Sequence, residues 1–354
     1  MLTANETFSP GTPVEIEKID RELKKLWEEA AGAKTRASLI NLAVYSEQPD
    51  SLGKNTALVS QITENSACRA IVIAANPSAS ESEVEAWISA HCHLSQAGKK
   101  EICSEQLSFS LRGRAAGLLP NIVFAQLDSD LPLSLWWQEE FSSPMDPQLW
   151  AWVDRVIYDS QKWSNFGEQM SLVRTAQEEA RQRIVLCDLN WIRLVHLRIA
   201  LAQFFDHPAT HHHLDELVSL EIEHAPEFRS TALLLAGWLA AQLGWENASG
   251  SRGSPGFEKK ADDSVRKIDV KLTEKAGEPI GSVVVRSDTA EFRVVHKVGA
   301  DLLEVNFGRT QGRRMQQVLP AGKGDVVSLV KEELMRGGPH SVYLRAVERV
   351  RDLL

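Results

Sequence analysis

Residues 38–46 read SLINLAVYS, and residues 70–75 read AIVIAA. Short, continuous apolar runs of this kind are typical of strands that a parallel sheet buries on both faces. Three further apolar runs follow, separated by polar or helical stretches: Ile102–Leu111, Leu131–Trp137 and Val156–Tyr158. The alternation of strands with helices predicts βαβ units, and therefore an α/β domain with a mostly parallel sheet and flanking helices.

The later part of the chain predicts a different architecture. Residues 188–205 are apolar around most of a helical circumference, which indicates a buried helix. Between Lys267 and Asn306, four segments alternate apolar and polar residues, as antiparallel strands do when one face is exposed to water. Residues 247–264 are rich in Gly, Ser and charged side chains, so we expect an exposed loop there.

The length of 354 residues agrees with two domains, since a single domain usually has roughly 150 residues. We place an N-terminal helix and the α/β domain at 1–183, and an α+β domain with antiparallel strands at 184–354. The hydrophobic content of 43% is ordinary for a folded protein.

Charge and targeting signals narrow the classes of partner. The chain has 39 basic and 48 acidic residues, a net charge of −9, so no general field attracts phosphate backbones or anionic lipid. No basic residue precedes Lys18, and the most apolar window, Thr231–Trp245, is shorter than the roughly 20 residues that span a bilayer. We therefore expect a cytoplasmic protein that binds neither nucleic acid nor a membrane.

The motifs of common catalytic and cofactor sites are missing from the sequence. Neither GxGxxG nor GxxxxGK[ST] nor GxSxG occurs, and His91, Cys92 and His93 lack the spacing of a zinc site with Cys103. We expect no cofactor, no metal and no catalysis. The four cysteines, which we expect to be reduced thiols in a chain without a signal peptide, are Cys68, Cys92, Cys103 and Cys187.

Asp159 and Ser160 follow the apolar run Val156–Tyr158, at a strand end where α/β proteins often bind ligands. Asp159 is a plausible partner for Arg193 on the buried helix. Two interpretations stay open. The pair belongs to an interior polar network, or it lines the crevice of an enzyme that acts on a sugar phosphate, with His196 nearby.

Tryptophan is concentrated in one part of the sequence. Six of the ten lie between residues 136 and 191. On a strand through Leu131–Trp137, Trp137 shares a face with the leucines and Trp136 projects to the other side. Because large aromatic residues are enriched at protein interfaces, we expect a docking surface here. Its candidate residues are Trp136, Trp137, Asp159, Ser160 and Trp163, with Trp136 and Asp159 first.

Several segments together resemble one family. These are LPLSLWW at 131–137, VIYDS at 156–160 and DLNWIRLVHLR at 188–198, and they are similar to the OpcA family of glucose-6-phosphate dehydrogenase assembly proteins. Leu197 departs from the family pattern, in which we expect tryptophan before the arginine. Within this pattern we expect a structural polar network of Asp188, Trp191, Arg193 and Arg198.

The resemblance implies a non-enzymatic partner of glucose-6-phosphate dehydrogenase that promotes the active oligomer and activates the enzyme allosterically in the oxidative pentose phosphate pathway. It also implies thioredoxin-linked control, for which Cys68 and Cys103 are the redox candidates. Buried, inert thiols are the alternative, because the sequence has no CxxC pair.

Overall fold

The structure is a computed structural model that describes the greater part of the chain in ranges separated by short gaps. The described residues are 9–29, 34–48, 50–94, 101–142, 150–179, 184–206, 208–247, 256–261, 264–309, 314–336, 338 and 340–351. They form two compact units, each of which is built from several parts of the chain. The first unit comprises the described residues of Met1–Tyr158, Ala176–Cys187 and Val326–Gly338; the second comprises those of Asp159–Thr175, Asp188–Asp325 and Pro339–Leu354. A single boundary at residue 183 therefore does not describe the units.

The strands and helices are numbered here in chain order. The strands are β1 (Thr12–Pro13), β2 (Lys34–Arg36), β3 (Asn41–Ser46), β4 (Arg69–Asn76), β5 (Glu83–Leu94), β6 (Glu101–Arg112), β7 (Leu133–Trp137), β8 (Arg155–Tyr158), β9 (Val185–Asp188), β10 (Leu217–His224), β11 (Glu246–Asn247), β12 (Gly256–Ala261), β13 (Ser264–Glu274), β14 (Ile280–Ser287), β15 (Ala290–His296), β16 (Leu302–Arg309) and β17 (Arg314–Pro320). The helices are α1 (Ile19–Glu29), α2 (Ser51–Thr63), α3 (Leu119–Ile122), α4 (Phe166–Glu179), α5 (Leu189–Arg193), α6 (Val195–Asp206), α7 (Pro208–His211), α8 (Arg229–Leu243), α9 (Val326–Arg336) and α10 (Ser341–Arg351).

The first sheet has the order β1-β5-β6-β4-β3-β7-β8-β9 among the described residues, with β2 beside β6. Strands β6, β4, β3, β7 and β8 run parallel. All six residues of β3 are buried, because neighbouring strands and helices cover the centre of the sheet. The prediction of an α/β architecture with a mostly parallel sheet is confirmed.

An antiparallel hairpin, β5–β6, extends that sheet and corrects one prediction about the cysteines. Cys92 and Cys103 lie directly opposite each other in the hairpin and form a disulfide, with Cα atoms 4.1 Å apart. The prediction of four reduced thiols is therefore wrong for this pair, because the pairing of the two strands brings the side chains together. Cys68 and Cys187 are buried and are not part of a disulfide.

The second sheet has the order β11-β12-β13-β10-β14-β15-β16-β17 among the described residues. Strands β10 and β13 are parallel, and the other strand pairs described in this sheet are antiparallel, as the alternating pattern predicted. Helix α8 packs on this sheet and against α10, and its residues Thr231–Ala240 are all buried. No described helix has both the length and the apolar content needed to cross a membrane.

Two local predictions differ from the structure. The helix at 188–205 is divided into α5 and α6 at Leu194. The exposed loop at 247–264 contains β12, which pairs with β13; residues 248–255 and 262–263 lie outside the described part of the chain. The composition of the segment did not indicate β12, because a strand of Gly, Lys and Glu has weak intrinsic preference for a sheet.

We predict that Gly237→Ala destabilises the protein. A Cβ at position 237 would lie 2.5 Å from the carbonyl oxygen of Ala346, so α8 and α10 would have to separate. Overpacking of this kind costs about 1–3 kcal/mol, which outweighs the helix preference of about 1 kcal/mol that alanine gains over glycine. Urea unfolding should show a lower free energy of unfolding.

The control for this prediction is Gly117→Ala, because a Cβ at Gly117 meets no atom within 4 Å. The free energy of unfolding of that variant should equal that of the parent protein or be slightly higher. Equal stability of the two variants would contradict the close packing of α8 against α10.

Candidate functional site

The carboxyl ends of the central strands carry polar side chains that bond to one another. The carboxylate of Glu139 follows β7 and accepts hydrogen bonds from the Ser46 hydroxyl (3.0 Å), the Glu47 backbone N–H (2.6 Å) and the Gln48 side-chain amide (3.4 Å). The Glu139 carboxylate therefore accepts the hydrogen bonds that groups at the end of β3, and just beyond it, donate.

This place in the sheet matters because the strand order reverses here. From β3 the chain moves to β4 and β6 on one side, and later to β7, β8 and β9 on the other. Open α/β sheets bind ligands at such a switch point, often with a phosphate at the following helix N-terminus. Here Glu47, Asp50 and Glu139 place negative charge beside the start of α2, which would repel an anionic ligand.

Aromatic and amide side chains fill the rest of this edge. The rings of Tyr45 and Trp137 stack with centroids 4.1 Å apart, and the Tyr45 hydroxyl donates to Glu47 (2.7 Å). Burial, together with the hydrogen bond and charge of Glu47, raises the pKa of Tyr45 well above its usual value. Asn55 and Gln138 bond to each other through their amides (3.1 and 2.9 Å). The switch point is therefore packed with the chain's own groups.

The predicted docking tryptophans lie at different depths. Trp136 is 3% exposed, because β7 is a central strand with both faces covered, so it does not fit the partner contact that we expected of it. Trp137, at the strand end, is half-buried and packs beside Trp150 (6.3 Å). Trp163 is 9% exposed and packs beside Phe166.

One exposed aromatic residue was not among the predicted site residues. Trp152 is 55% exposed and touches Phe124 with one side of its ring (6.4 Å between centroids). The sequence signal was the run of tryptophans around it, but the local pattern did not separate the exposed members from the buried ones. Trp152 is exposed and Trp137 and Trp150 are half-buried, and we call these three residues the accessible tryptophans.

The second unit contains a buried polar network around Asp188, at the end of β9. The Asp188 carboxylate is 1% exposed and accepts hydrogen bonds from the backbone N–H groups of Ser160 (3.1 Å) and Asn190 (2.9 Å). The hydroxyls of Ser160 (2.6 Å) and Tyr343 (3.1 Å) also donate to it. Asp188 is therefore the common acceptor for three separate segments of the chain.

Asn190 connects this carboxylate to a charged pair. Its side-chain amide donates to the Ser160 hydroxyl (3.1 Å), and its oxygen accepts from Thr231 (2.6 Å) and Arg193 (3.1 Å). Arg193 also donates to both oxygens of Asp159 (3.3 and 3.0 Å), and the two side chains are only 11% and 9% exposed. The expected pairing of Asp159 with Arg193 is present, and each charge neutralises the other.

Trp191 and Arg198 adjoin the same network through packing. The Arg198 guanidinium lies 3.5 Å from the centre of the Trp191 ring, and its Nη2 donates to the Trp191 carbonyl (3.2 Å). Trp191 in turn packs against Tyr343 (5.4 Å). The structure therefore brings together Asp188, Trp191, Arg193 and Arg198. Sequence reasoning missed the role of Thr231 and Tyr343, which are distant in the chain and carry no motif.

Burial also perturbs the carboxyl group of Asp188 and the thiol of Cys68. It raises the pKa of Asp188 to about 6, and the hydrogen bonds of Ser160 and Asn190 oppose that rise. In the first unit, burial raises the pKa of the Cys68 thiol to about 12, so this group is protonated at neutral pH and is a poor nucleophile.

Among the described residues, two clusters of side chains have the atom types that bind metals and lie within one unit each. Cys92, Glu101 and Cys103 lie together, but the disulfide removes both thiolates. His212, His213 and Glu216 also lie together, and Nδ1 of His213 is already within 3.3 Å of Glu216 and 3.1 Å of the Ser287 hydroxyl. Neither group presents a free set of ligands.

Comparisons with known proteins agree on a family. Residues 59–175 match the glucose-6-phosphate dehydrogenase subunit N-terminal domain, and residues 184–347 match the corresponding C-terminal domain. A protein of Synechococcus elongatus named "Putative OxPP cycle protein OpcA" is 27% identical over 285 residues. That alignment covers 73% of this chain and 62% of the relative, so the chain spans less than two thirds of the relative's length.

Solved structures are similar at low identity. An aldose-aldose oxidoreductase from Caulobacter crescentus is 8% identical with a TM-score of 0.48, covering 87% of this chain and 94% of that one. An oxidoreductase from Sinorhizobium meliloti is 13% identical with a TM-score of 0.43, covering 88% and 87%. At these scores the similarity does not bear on function.

The raised pKa of Asp188 predicts a pH dependence of stability. Because the folded protein binds this proton more tightly than the unfolded chain does, the contribution of Asp188 is greatest below about pH 4 and is lost as pH rises through about 6. A shift of this size corresponds to about 3 kcal/mol. We therefore expect the free energy of unfolding of the parent, minus that of Asp188→Asn, to fall by up to about 3 kcal/mol between pH 4 and 7.

Chemical unfolding at several pH values measures this difference. The control is Asp215→Asn, since Lys259 lowers the pKa of the Asp215 carboxyl and the trend should have the opposite sign and a smaller size. If the free energies of unfolding of the parent and of Asp188→Asn differ by the same amount at every pH from 4 to 7, the pKa of Asp188 is not raised in the folded protein.

Proposed function

From the finding that the chain belongs to the OpcA family of glucose-6-phosphate dehydrogenase subunits, we propose that it binds a glucose-6-phosphate dehydrogenase and promotes its active oligomer. Binding then activates the enzyme allosterically in the oxidative pentose phosphate pathway. Such a protein acts by binding one state of its target more tightly, and the shift in the target's equilibrium cannot exceed the difference between its binding free energies for the two states.

A role without catalysis is supported above all by the position of Glu139. In an open α/β sheet, a nucleotide-dependent enzyme keeps the backbone donors at the switch point free for phosphate. Here the Glu47 N–H and the Ser46 hydroxyl donate to Glu139 instead. The chain's own carboxylate therefore takes the place that a bound phosphate would need.

The alternative, an enzyme with a sugar-phosphate crevice at Asp159 and Arg193, is not favoured by the geometry. Both oxygens of Asp159 accept from Arg193, and both side chains are nearly buried. A bidentate pair of this kind leaves neither a free carboxylate for proton transfer nor a free guanidinium for phosphate. We propose instead that Asp159 and Ser160 stabilise the polar network around Asp188 within the second unit.

We propose that the accessible tryptophans make the main contacts with the dehydrogenase. Exposed aromatic side chains supply large apolar area with few rotatable bonds, and tryptophan is the residue type most enriched among energetically dominant interface contacts. Trp137 was among the tryptophans that we expected at the interface. Trp136 and Trp163 are buried, and this proposal replaces them with Trp150 and Trp152.

We propose that thioredoxin-linked control acts on the Cys92–Cys103 disulfide. Cys68 is buried and its thiol has a raised pKa, which makes it a poor partner for exchange. Reduction by thioredoxin would open the disulfide to two thiols and leave thioredoxin with a disulfide, so that two electrons and two protons pass to this chain. The response of the dehydrogenase to the chain would then differ between the oxidised and reduced forms.

The first prediction of this proposal concerns enzyme kinetics. Adding the purified chain to the glucose-6-phosphate dehydrogenase of the same organism should lower the half-saturating concentration of glucose 6-phosphate about fivefold or more, the range of ordinary allosteric coupling. Initial rates across substrate concentrations, measured with oxidised and with reduced chain, test this. An unchanged rate curve in both states would reject activation.

The second prediction concerns the docking surface. Trp152→Ala should leave the fold intact, because the side chain is 55% exposed, and should weaken the complex with the dehydrogenase at least about tenfold. Met335→Ala is the matched control, since Met335 is 76% exposed on α9 and is not aromatic. Titration calorimetry compares the two. Equal dissociation constants for both variants and the parent would place the interface elsewhere.

A further inference from the structure

A cavity of about 510 Å³ in the first unit lies away from the switch point and the accessible tryptophans. Helix α1 lines it with Asp20, Leu23, Lys24 and Trp27, whose spacing of three, four and seven residues places them on one helix face. A volume of this size is typical of sites for small molecules.

The floor of the cavity is a buried carboxylate between two arginines. Glu105, on β6, is 0% exposed, and its two oxygens lie 3.1 Å from Nε of Arg36 and 3.0 Å from Nη1 of Arg69. The Trp27 indole N–H also donates to Glu105. Two guanidinium groups on one carboxylate leave a surplus of positive charge at this position.

Arg69 has a donor that the described structure leaves unused. Its side chain is 9% exposed, and its Nε has no hydrogen-bond partner within the described ranges. A buried N–H without an acceptor is costly and rare in folded proteins. Arg69 lines the cavity, so its guanidinium group is available to an acceptor bound there.

Two lysines at the rim add to the surplus. Lys24 and Lys34 are 78% and 40% exposed and lie 4.0 Å from Glu28 and Glu101, the outer limit of an ion pair. Exposed pairs of this kind contribute little, so both ammonium groups can turn toward a ligand. The lining then holds four cations, from Lys24, Lys34, Arg36 and Arg69, against the carboxylates of Asp20 and Glu105, an excess of two positive charges.

We propose that this cavity binds a small phosphorylated metabolite with a polyol or sugar body. A phosphate monoester carries about −1.5 to −2 charge near neutral pH, which balances the excess, and its oxygens accept from guanidinium and ammonium donors. The cavity is larger than inorganic phosphate requires. Leu23 and Trp27 supply apolar surface for the carbon skeleton, and Asp20 supplies an acceptor for hydroxyl groups.

The test is titration calorimetry on the isolated chain with glucose 6-phosphate, inorganic phosphate, glucose and citrate as probes. Glucose 6-phosphate should bind saturably at one site, inorganic phosphate more weakly, and glucose and citrate not measurably. No dehydrogenase is present, so the result is independent of the proposed function, and failure of either leaves the other standing.

Charge variants at the rim of the cavity locate the site. Replacing both rim lysines, Lys24→Gln with Lys34→Gln, should weaken glucose 6-phosphate binding about a hundredfold, or tenfold for each charged contact. Lys25→Gln is the matched control, because Lys25 is 54% exposed on α1, adjoins Lys24 and does not line the cavity. Its dissociation constant should stay within about twofold of the parent.

Three results would overturn the proposal. They are no saturable binding of glucose 6-phosphate, equal weakening by Lys25→Gln and the double variant, and citrate binding as tight as that of the sugar phosphate. Circular dichroism of each variant shows that the fold is kept, which the exposure of all three lysines leads us to expect.

Discussion

The central strands of the first sheet are covered on both faces, and this constraint organises the unit around them. Every residue of β3 is buried, so polar chemistry is confined to the strand ends. At the carboxyl ends the chain places Glu139 on the donors of β3, and Tyr45 stacks on Trp137. A sheet that elsewhere would offer its switch point to a ligand is closed here by its own side chains.

The second unit is organised by a different interaction, the buried carboxylate of Asp188. Ser160, Asn190 and Tyr343 come from separate segments and all donate to it. A buried acceptor of this kind needs every donor, because an unpaired polar group in the interior is costly. The DLNW and VIYDS segments that carry the family resemblance are therefore explained by a structural requirement, since their Asp, Asn and Ser form this network.

The sequence predicted the features that depend on local pattern and missed those that depend on distant contacts. The apolar runs predicted the parallel strands, and the positions of Asp159 at a strand end and Arg193 on the buried helix led us to pair the two residues. The depth of Trp136 could not be predicted, because it depends on what covers the second face of β7. The Cys92–Cys103 disulfide depends on the register of the hairpin, and the cavity at Arg69 is assembled from elements far apart in the chain. Neither leaves a motif.

We propose that this chain binds a glucose-6-phosphate dehydrogenase and shifts it toward its active oligomer. Sedimentation velocity of the dehydrogenase, alone and with increasing amounts of the chain, measures this directly. We expect a new sedimentation boundary that contains both proteins. At each total concentration, a larger share of the dehydrogenase should be in its higher oligomer. Two boundaries that sediment independently, with the oligomer distribution of the dehydrogenase unchanged, would contradict it.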